Sequence, residues 1–267
     1  MRGLCLVALL LLPWTTRAAP PGSANALPSL SKADADNALR SFRNSGLNCD
    51  LVIRFELKHL PRTGNATNPE KGTLWMSWKH GFPAVRIEMG NARFLMLRKN
   101  SESSLWQYRD NVVTKVSGSD ALKPLIAGYL FAPFDLQAPF THWENTVYES
   151  TERRRGRPLN MYLAKAPSDN SSAPVRFGLD RAYVALIEAT TLDANGKPSR
   201  QMLIEDFAQV DEQWILGKAS VRDEVTRDRD VLEVKSASVN ARLEANIFSP
   251  ESLAKPAPAT EGTFHSL

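Results

Sequence analysis

The chain has 267 residues, 43% of them hydrophobic and 23% charged, which suits a folded protein with one large or two modest domains. Its 33 Lys and Arg nearly offset 29 Asp and Glu, for a formal net charge of +4. Nucleic acid is not an expected partner, because the basic residues are interspersed with acidic ones and phosphate binding needs a clustered basic face.

From the N-terminus, Arg2 precedes an apolar run from Leu4 to Trp14, and Thr16-Arg17-Ala18 supplies a small-x-small ending. This is the pattern of a secretory signal peptide over residues 1–18, cleaved near Ala18, with Ala24-Asn25-Ala26 as a second choice. Cys5 lies inside the apolar run rather than at its end, so a lipid-anchored precursor is not expected. A soluble exported protein that does not span the membrane is. Only Cys49 then remains, which rules out an internal disulfide and reads as a small apolar residue at the start of a strand.

Residues 19–31 read as a flexible leader rich in Pro, Ala and Ser. A single domain is expected over 32–253, and a disordered tail over 254–267. Ser31 is placed to cap a short helix running to about Asn44, with Ala35, Leu39 and Phe42 on one face and Gly46 as its stop. Leu51 to Leu60 alternates, with Leu51, Ile53, Phe55 and Leu57 on the buried face of a strand. Further short runs follow at Thr73–Lys79, Ala84–Met89, Arg93–Arg98, Leu105–Arg109 and Val112–Val116. Gly90-Asn91, Lys99-Asn100-Ser101 and Asp110-Asn111 separate them as turns. Leu122, Leu125, Ile126, Tyr129 and Leu130 recur at helical spacing up to Phe131 and predict a short apolar helix stopped at Ala132-Pro133.

Strands resume at Asn145–Ser150, Pro158–Ala164 and Val175–Leu179. A meander of long strands then covers Ala182 to Asp223, with Tyr183, Ala185, Ile187 and Ala189 on one face, reversals at Asn195-Gly196 and Asp211-Glu212, and a last strand at Val231–Ser238. The expected fold is mainly β: an incomplete antiparallel β-barrel of about 10–11 strands with short α-helices covering the open side.

Catalytic and metal motifs are not found. His59, His80, His142 and His265 are scattered, and Glu205-Asp206, adjacent on one strand, point to opposite faces. An enzyme is not expected, nor a cofactor or a metal site. Arg153 to Arg157 is a basic loop, either solvated or a patch for anionic lipid or an acidic partner. What remains is apolar surface. A sheet too wide for its own side chains to fill would hold acyl chains, with Ile53, Phe55, Trp75, Phe94 and Trp106 lining the cavity and Leu125, Ile126 and Tyr129 on a helical lid.

Several segments resemble the LolA-like family of bacterial outer-membrane lipoprotein-sorting proteins. They are Arg157-Pro158 and the strand after it, Val175 to Asp180, the turn Asp193-Ala194-Asn195-Gly196-Lys197 with the strand ending at Asp206-Phe207, Val210 to Trp214, and Asn246 to Pro250. The resemblance is best over Val147 to Leu253. It implies an incomplete barrel under short helices, and a periplasmic carrier that takes the acyl chains of lipoproteins or phospholipid toward the outer membrane. Implied partners are an inner-membrane exporter or an outer-membrane receptor, with the carrier a monomer. The alternative is an envelope protein-interaction or stress-sensing module on the same fold, which would show a filled barrel. An exported hydrolase would instead need convergent polar groups in a pocket.

Overall fold

The helix expected after Ser31 is α1, Lys32–Asn44, in the structure, a computed structural model that describes residues 27–45, 49–79, 83–99, 102–167 and 173–267. The Ser31 hydroxyl accepts the Asp34 N–H at 3.1 Å, which satisfies one of the free donors of the first turn. Ala35 and Leu39 are buried and Phe42 packs beside them. The expected signal peptide, the leader as far as residue 26, Gly46 and Asn100-Ser101 lie outside the described residues.

The strands form two antiparallel meanders. The first comprises β1 (Asp50–Leu60), β2 (Glu70–Ser77), β3 (Ala84–Met89), β4 (Ala92–Lys99), β5 (Glu102–Arg109) and β6 (Val112–Val116). The second comprises β7 (Thr146–Arg154), β8 (Arg157–Ala164), β9 (Val175–Asp180), β10 (Leu186–Leu192), β11 (Pro198–Val210), β12 (Gln213–Asp223) and β13 (Arg229–Val239). Pairing of β1 with β13 joins them into one sheet ordered β6-β5-β4-β3-β2-β1-β13-β12-β11-β10-β9-β8-β7. With β14 (His265–Ser266) on β13, the sheet has 14 strands among the described residues rather than the 10–11 expected, and it stays open. The tight reversals are where the sequence places them. Asp110-Asn111 and Asp211-Glu212 take paired positive φ of 52° and 63°, and 45° and 65°, the backbone of two-residue hairpin turns.

Alternation divides the sheet into two faces. Ile53, Leu74, Ile87 and Phe94 are cross-strand neighbours on the inner face and belong to the main core. One residue away, Val52, Trp75, Arg86, Leu95 and Trp106 form the matching row on the outer face. This corrects two expected lining residues: Trp75 and Trp106 point away from Phe55, because period two assigns them to the opposite side.

Residues 254–267, expected to be a disordered tail, close over that outer face. Trp75 Nε1 donates to Thr260 Oγ1 at 2.9 Å, the Arg54 guanidinium lies 3.9 Å from the centre of the Phe264 ring, and β14 pairs with Ser236 and Ala237 of β13. Space for β14 exists because β12 pairs with β13 only from Lys218 to Arg222, while its remaining residues follow β11.

Two further expectations change. The segment 122–131 is not a helix. Pro124 lacks the N–H that a continuing helix needs, Gly128 sits at φ +84°, and Leu125 N–H donates to Phe131 O at 2.8 Å to close a loop. The helix begins where a stop was expected: α2 is Pro133–Gln137, with proline at its first position. In β10 a bulge between Leu186 and Glu188 breaks the alternation, so Ile187 packs with Leu159 and Met161 while Ala189 joins the main core.

Candidate functional site

The inner face of the sheet is apolar, and what lies on it decides what the molecule can bind. The largely irregular stretch 118–143 covers it, with 3-10 turns at Gly118–Leu122 and Pro139–His142 and α2 between them as its short regular parts. Leu125, Phe131, Ala132, Phe134, Phe140 and Trp143 of this cover are at most 5% exposed. Their aromatic rings continue into the second meander: Phe134 lies 5.8 Å from Phe140, Phe140 5.6 Å from Phe177, and Tyr162 stacks on Phe177 at 5.4 Å. The cover therefore occupies the surface that a ligand would use.

Polar latches hold the cover at both ends of the inner face, and their acceptors or donors on it are mostly backbone. At one end, Asp230 Oδ2 accepts Leu130 N–H at 2.6 Å and Phe131 N–H at 2.9 Å, while Oδ1 meets His59 Nδ1 at 2.7 Å. Asp230 is fully buried, and the Arg200 guanidinium beside it donates to both Leu130 O and the Asp135 carboxylate. Burial raises the Asp135 pKa although Arg200 opposes the shift. Asp135 also accepts Ala132 N–H at 2.7 Å, Arg109 reaches Leu125 O at 3.4 Å, and Tyr129 OH meets Thr67 Oγ1 at 3.2 Å.

At the other end Arg43 of α1 donates to Thr141 O and Trp143 O, each at 2.8 Å, and Arg98 Nη1 contacts His142 Nε2. Burial, then the positive charges of Arg98 and Arg43, pull the His142 pKa down to about 4, so the ring is neutral and accepts from the guanidinium. On the second meander Tyr162 OH donates to Ala35 O at 2.9 Å, and burial pushes its pKa up to about 12. Cys49 is a free, buried thiol whose pKa burial raises, as suits a packing residue. Among the described residues, no group of three or more His, Cys, Asp and Glu side chains could hold a metal ion.

A family model described as an uncharacterized protein matches residues 88–255, more than half of the chain. The chain belongs to that family. No curated protein matches its sequence. Among solved structures, a DUF1329 family protein from Desulfovibrio piger superimposes on this family member with a TM-score of 0.71 at 10% identity, over 83% of this chain and 98% of that one. A putative outer membrane lipoprotein-sorting protein domain from Vibrio parahaemolyticus gives 0.71 at 14% identity, over 83% and 97%. A LolA superfamily protein from Nitrosomonas europaea gives 0.59 at 13% identity, over 82% and 98%. The family member has the LolA-superfamily fold, as its sequence segments imply.

Of the residues expected to bind, Ile53, Phe55, Phe94 and Leu125 meet in the main core, and Ile126 and Tyr129 pack against it partly buried. Trp75 and Trp106 do not join them. Residues not singled out in the sequence complete the site: Phe131, Phe134, Phe140, Tyr162 and Phe177 as apolar surface, and Arg43, Arg98, Arg200 and Asp230 as latches.

Proposed function

We propose that the protein is a periplasmic, non-catalytic carrier that binds acyl chains of lipids or lipoproteins against the inner face of its sheet once the cover over 118–143 swings away. The observation carrying this reading is the construction of the cover. An apolar face is closed by a largely irregular segment held by apolar burial and by side-chain bonds to its own backbone, and such a segment can leave without unpairing any strand. The lipoprotein-sorting domain and the LolA superfamily protein that share the fold support it, as do the sequence signals for export. No helix of the described residues is long and apolar enough to cross a membrane.

Magnitudes constrain the cargo. Exposing Leu125, Phe131, Phe134, Phe140 and Trp143 costs roughly 1.5–3 kcal/mol each, so about 8–15 kcal/mol at most, if none finds a new partner. Burying one sixteen-carbon chain contributes about 0.8 kcal/mol per methylene, roughly 12 kcal/mol in all. One chain barely balances the displaced cover and two outweigh it. Diacyl or triacyl cargo is therefore favoured over a single free fatty acid, and an inner-membrane exporter and an outer-membrane receptor would be the donor and the acceptor.

Native mass spectrometry of the exported chain, purified without detergent and extracted with organic solvent, tests the proposal. Co-purifying diacyl lipid or acylated peptide is the expected result. A clean apo mass, together with no uptake of a fluorescent diacyl probe, would overturn it.

A further inference from the structure

The two ends of the inner face differ in charge. At the end held by Asp230, two carboxylates (Asp230 and Asp135) stand against Arg200 and Arg109, with His59 beside them. At the other end, Arg98 continues the inner row of Phe94 and Met96 on β4, and its side-chain contact is the neutral His142 ring. Arg43 reaches the same strip of cover, donating to the backbone on either side of His142.

Neither guanidinium has a carboxylate partner among the described residues, although burial lowers the pKa of both. Acidic residues close to Arg43 and His142 in sequence do not serve: Asp36 pairs with Lys32 at 2.6 Å. Asp50 lies on the outer face, bonded to Ser77 Oγ at 2.6 Å and paired with Lys79 at 3.3 Å, and Glu144 is exposed. Half-buried cations left without an anion are costly, and an anion brought by a ligand would relieve that cost.

We propose that Arg98 and Arg43, which the closed cover occupies through His142 and the carbonyls beside it, form an anion site at this end of the apolar face. Its ligand is the phosphate, or a like anionic headgroup, of an amphiphile whose acyl chains lie along Phe94 and Met96. This rests on the carrier reading and deepens it: the cargo is an anionic lipid rather than a neutral one, and it enters in one orientation. When the cover leaves, Thr141 O, Trp143 O and the His142 ring go with it; Arg98 is freed for the headgroup, and Arg43 keeps only its bond to Thr146 Oγ1 at 3.2 Å. A planar guanidinium suits a phosphate because it can donate two parallel hydrogen bonds.

The test compares didodecanoyl phosphatidylglycerol with didodecanoylglycerol, which has the same chains and no headgroup, on the wild-type chain and on R98Q and R98K, each checked for native circular dichroism. R98Q is expected to lower the ratio of anionic-lipid to neutral-lipid affinity about tenfold or more, with R98K between, whereas the loss of the Arg98 latch on His142 acts on both lipids alike. Equal affinity of the wild type for both lipids, or an equal loss for both in R98Q, would overturn the anion site while leaving the carrier intact. If neither lipid binds the wild type, the carrier reading fails. Inorganic phosphate alone then decides: thermal stabilisation that R98Q abolishes would keep a free-phosphate site, and none would end the proposal.

Discussion

At the scale of single residues, the cover depends on a few buried polar atoms, and Asp230 carries the most. Its two oxygens serve three donors: Leu130 N, Phe131 N and His59 Nδ1. Replacing it with Ala leaves those donors without an acceptor where the carboxylate was fully buried, each at about 1–3 kcal/mol unless water enters. We expect Asp230→Ala to lower the urea-unfolding free energy by about 2–4 kcal/mol and to speed uptake of a fluorescent diacyl probe. Asp230→Asn, which keeps one acceptor, should do less of both. A variant as stable as wild type would show that the latch bears no load. His142 sets a pH dependence at the opposite end. Its folded pKa falls from 6.5 to about 4, so between those values the unfolded state binds more protons than the folded one. Stability from this group is complete above about pH 6.5, falls as pH drops through the window, and stops falling near pH 4. Allowing for solvent screening of a ring that is not fully buried, the loss is about 1–2 kcal/mol. Denaturation midpoints of wild type and His142→Gln between pH 7 and pH 4 should converge as pH falls, and parallel curves would remove this role.

At the scale of elements, strands and turns were legible because period two and positive-φ residues are local signals: β3 and β6 have the expected ends, and β1 differs by one residue. The cover misled because helical spacing of apolar residues also fits a loop folded over an apolar surface, and only the backbone at Pro124 and Gly128 decides between them. The latches did leave a trace in the sequence. His59 follows Phe55 and Leu57, Arg98 follows Phe94 and Met96, Arg200 precedes Met202, and Asp230 precedes Leu232 and Val234, each on the face those residues bury. A charge that ends an inward apolar row is a buried polar group needing a partner, and that pattern was present to be read. The C-terminal stretch could not be read this way, because its composition is that of a linker and its hold comes from a non-local slot on β13. That slot is tight at Gly262, where a Cβ would come 2.6 Å from Ser238 Oγ but 3.6 Å from Ser238 Cβ. Gly262→Ala alone should therefore detach the end of the strap, cost about 1–2 kcal/mol, and expose Trp75 as its bond to Thr260 is lost. Adding Ser238→Ala removes the clashing oxygen and should restore most of the stability. Equal stability of the single and double variants would mean the contact does not set the path of the strap.

At the scale of the whole molecule, the chain combines parts of unequal cohesion. The β1–β13 pairing runs nearly the full length of both strands and joins two meanders through the main core, so opening it amounts to unfolding the protein. The cover adds apolar burial to the same core, but the amides of Leu125, Leu130 and Phe131 bond to a loop carbonyl or a side chain rather than to the backbone of a strand. Segments of that kind open locally at a lower free energy than the global transition. Native-state hydrogen exchange can separate the two. The amides of Leu125, Leu130 and Phe131 should exchange through an opening that is less sensitive to denaturant than the global transition and lower in free energy than that of β1 and β13. Adding a soluble diacyl lipid should raise exchange across 118–143, since cargo takes the place of the cover, while β1 and β13 keep or gain protection by mass action. If the cover and β1 instead exchange with one free energy, the inner face opens only when the whole protein unfolds, and a molecule built that way could not load and release acyl chains as a carrier must.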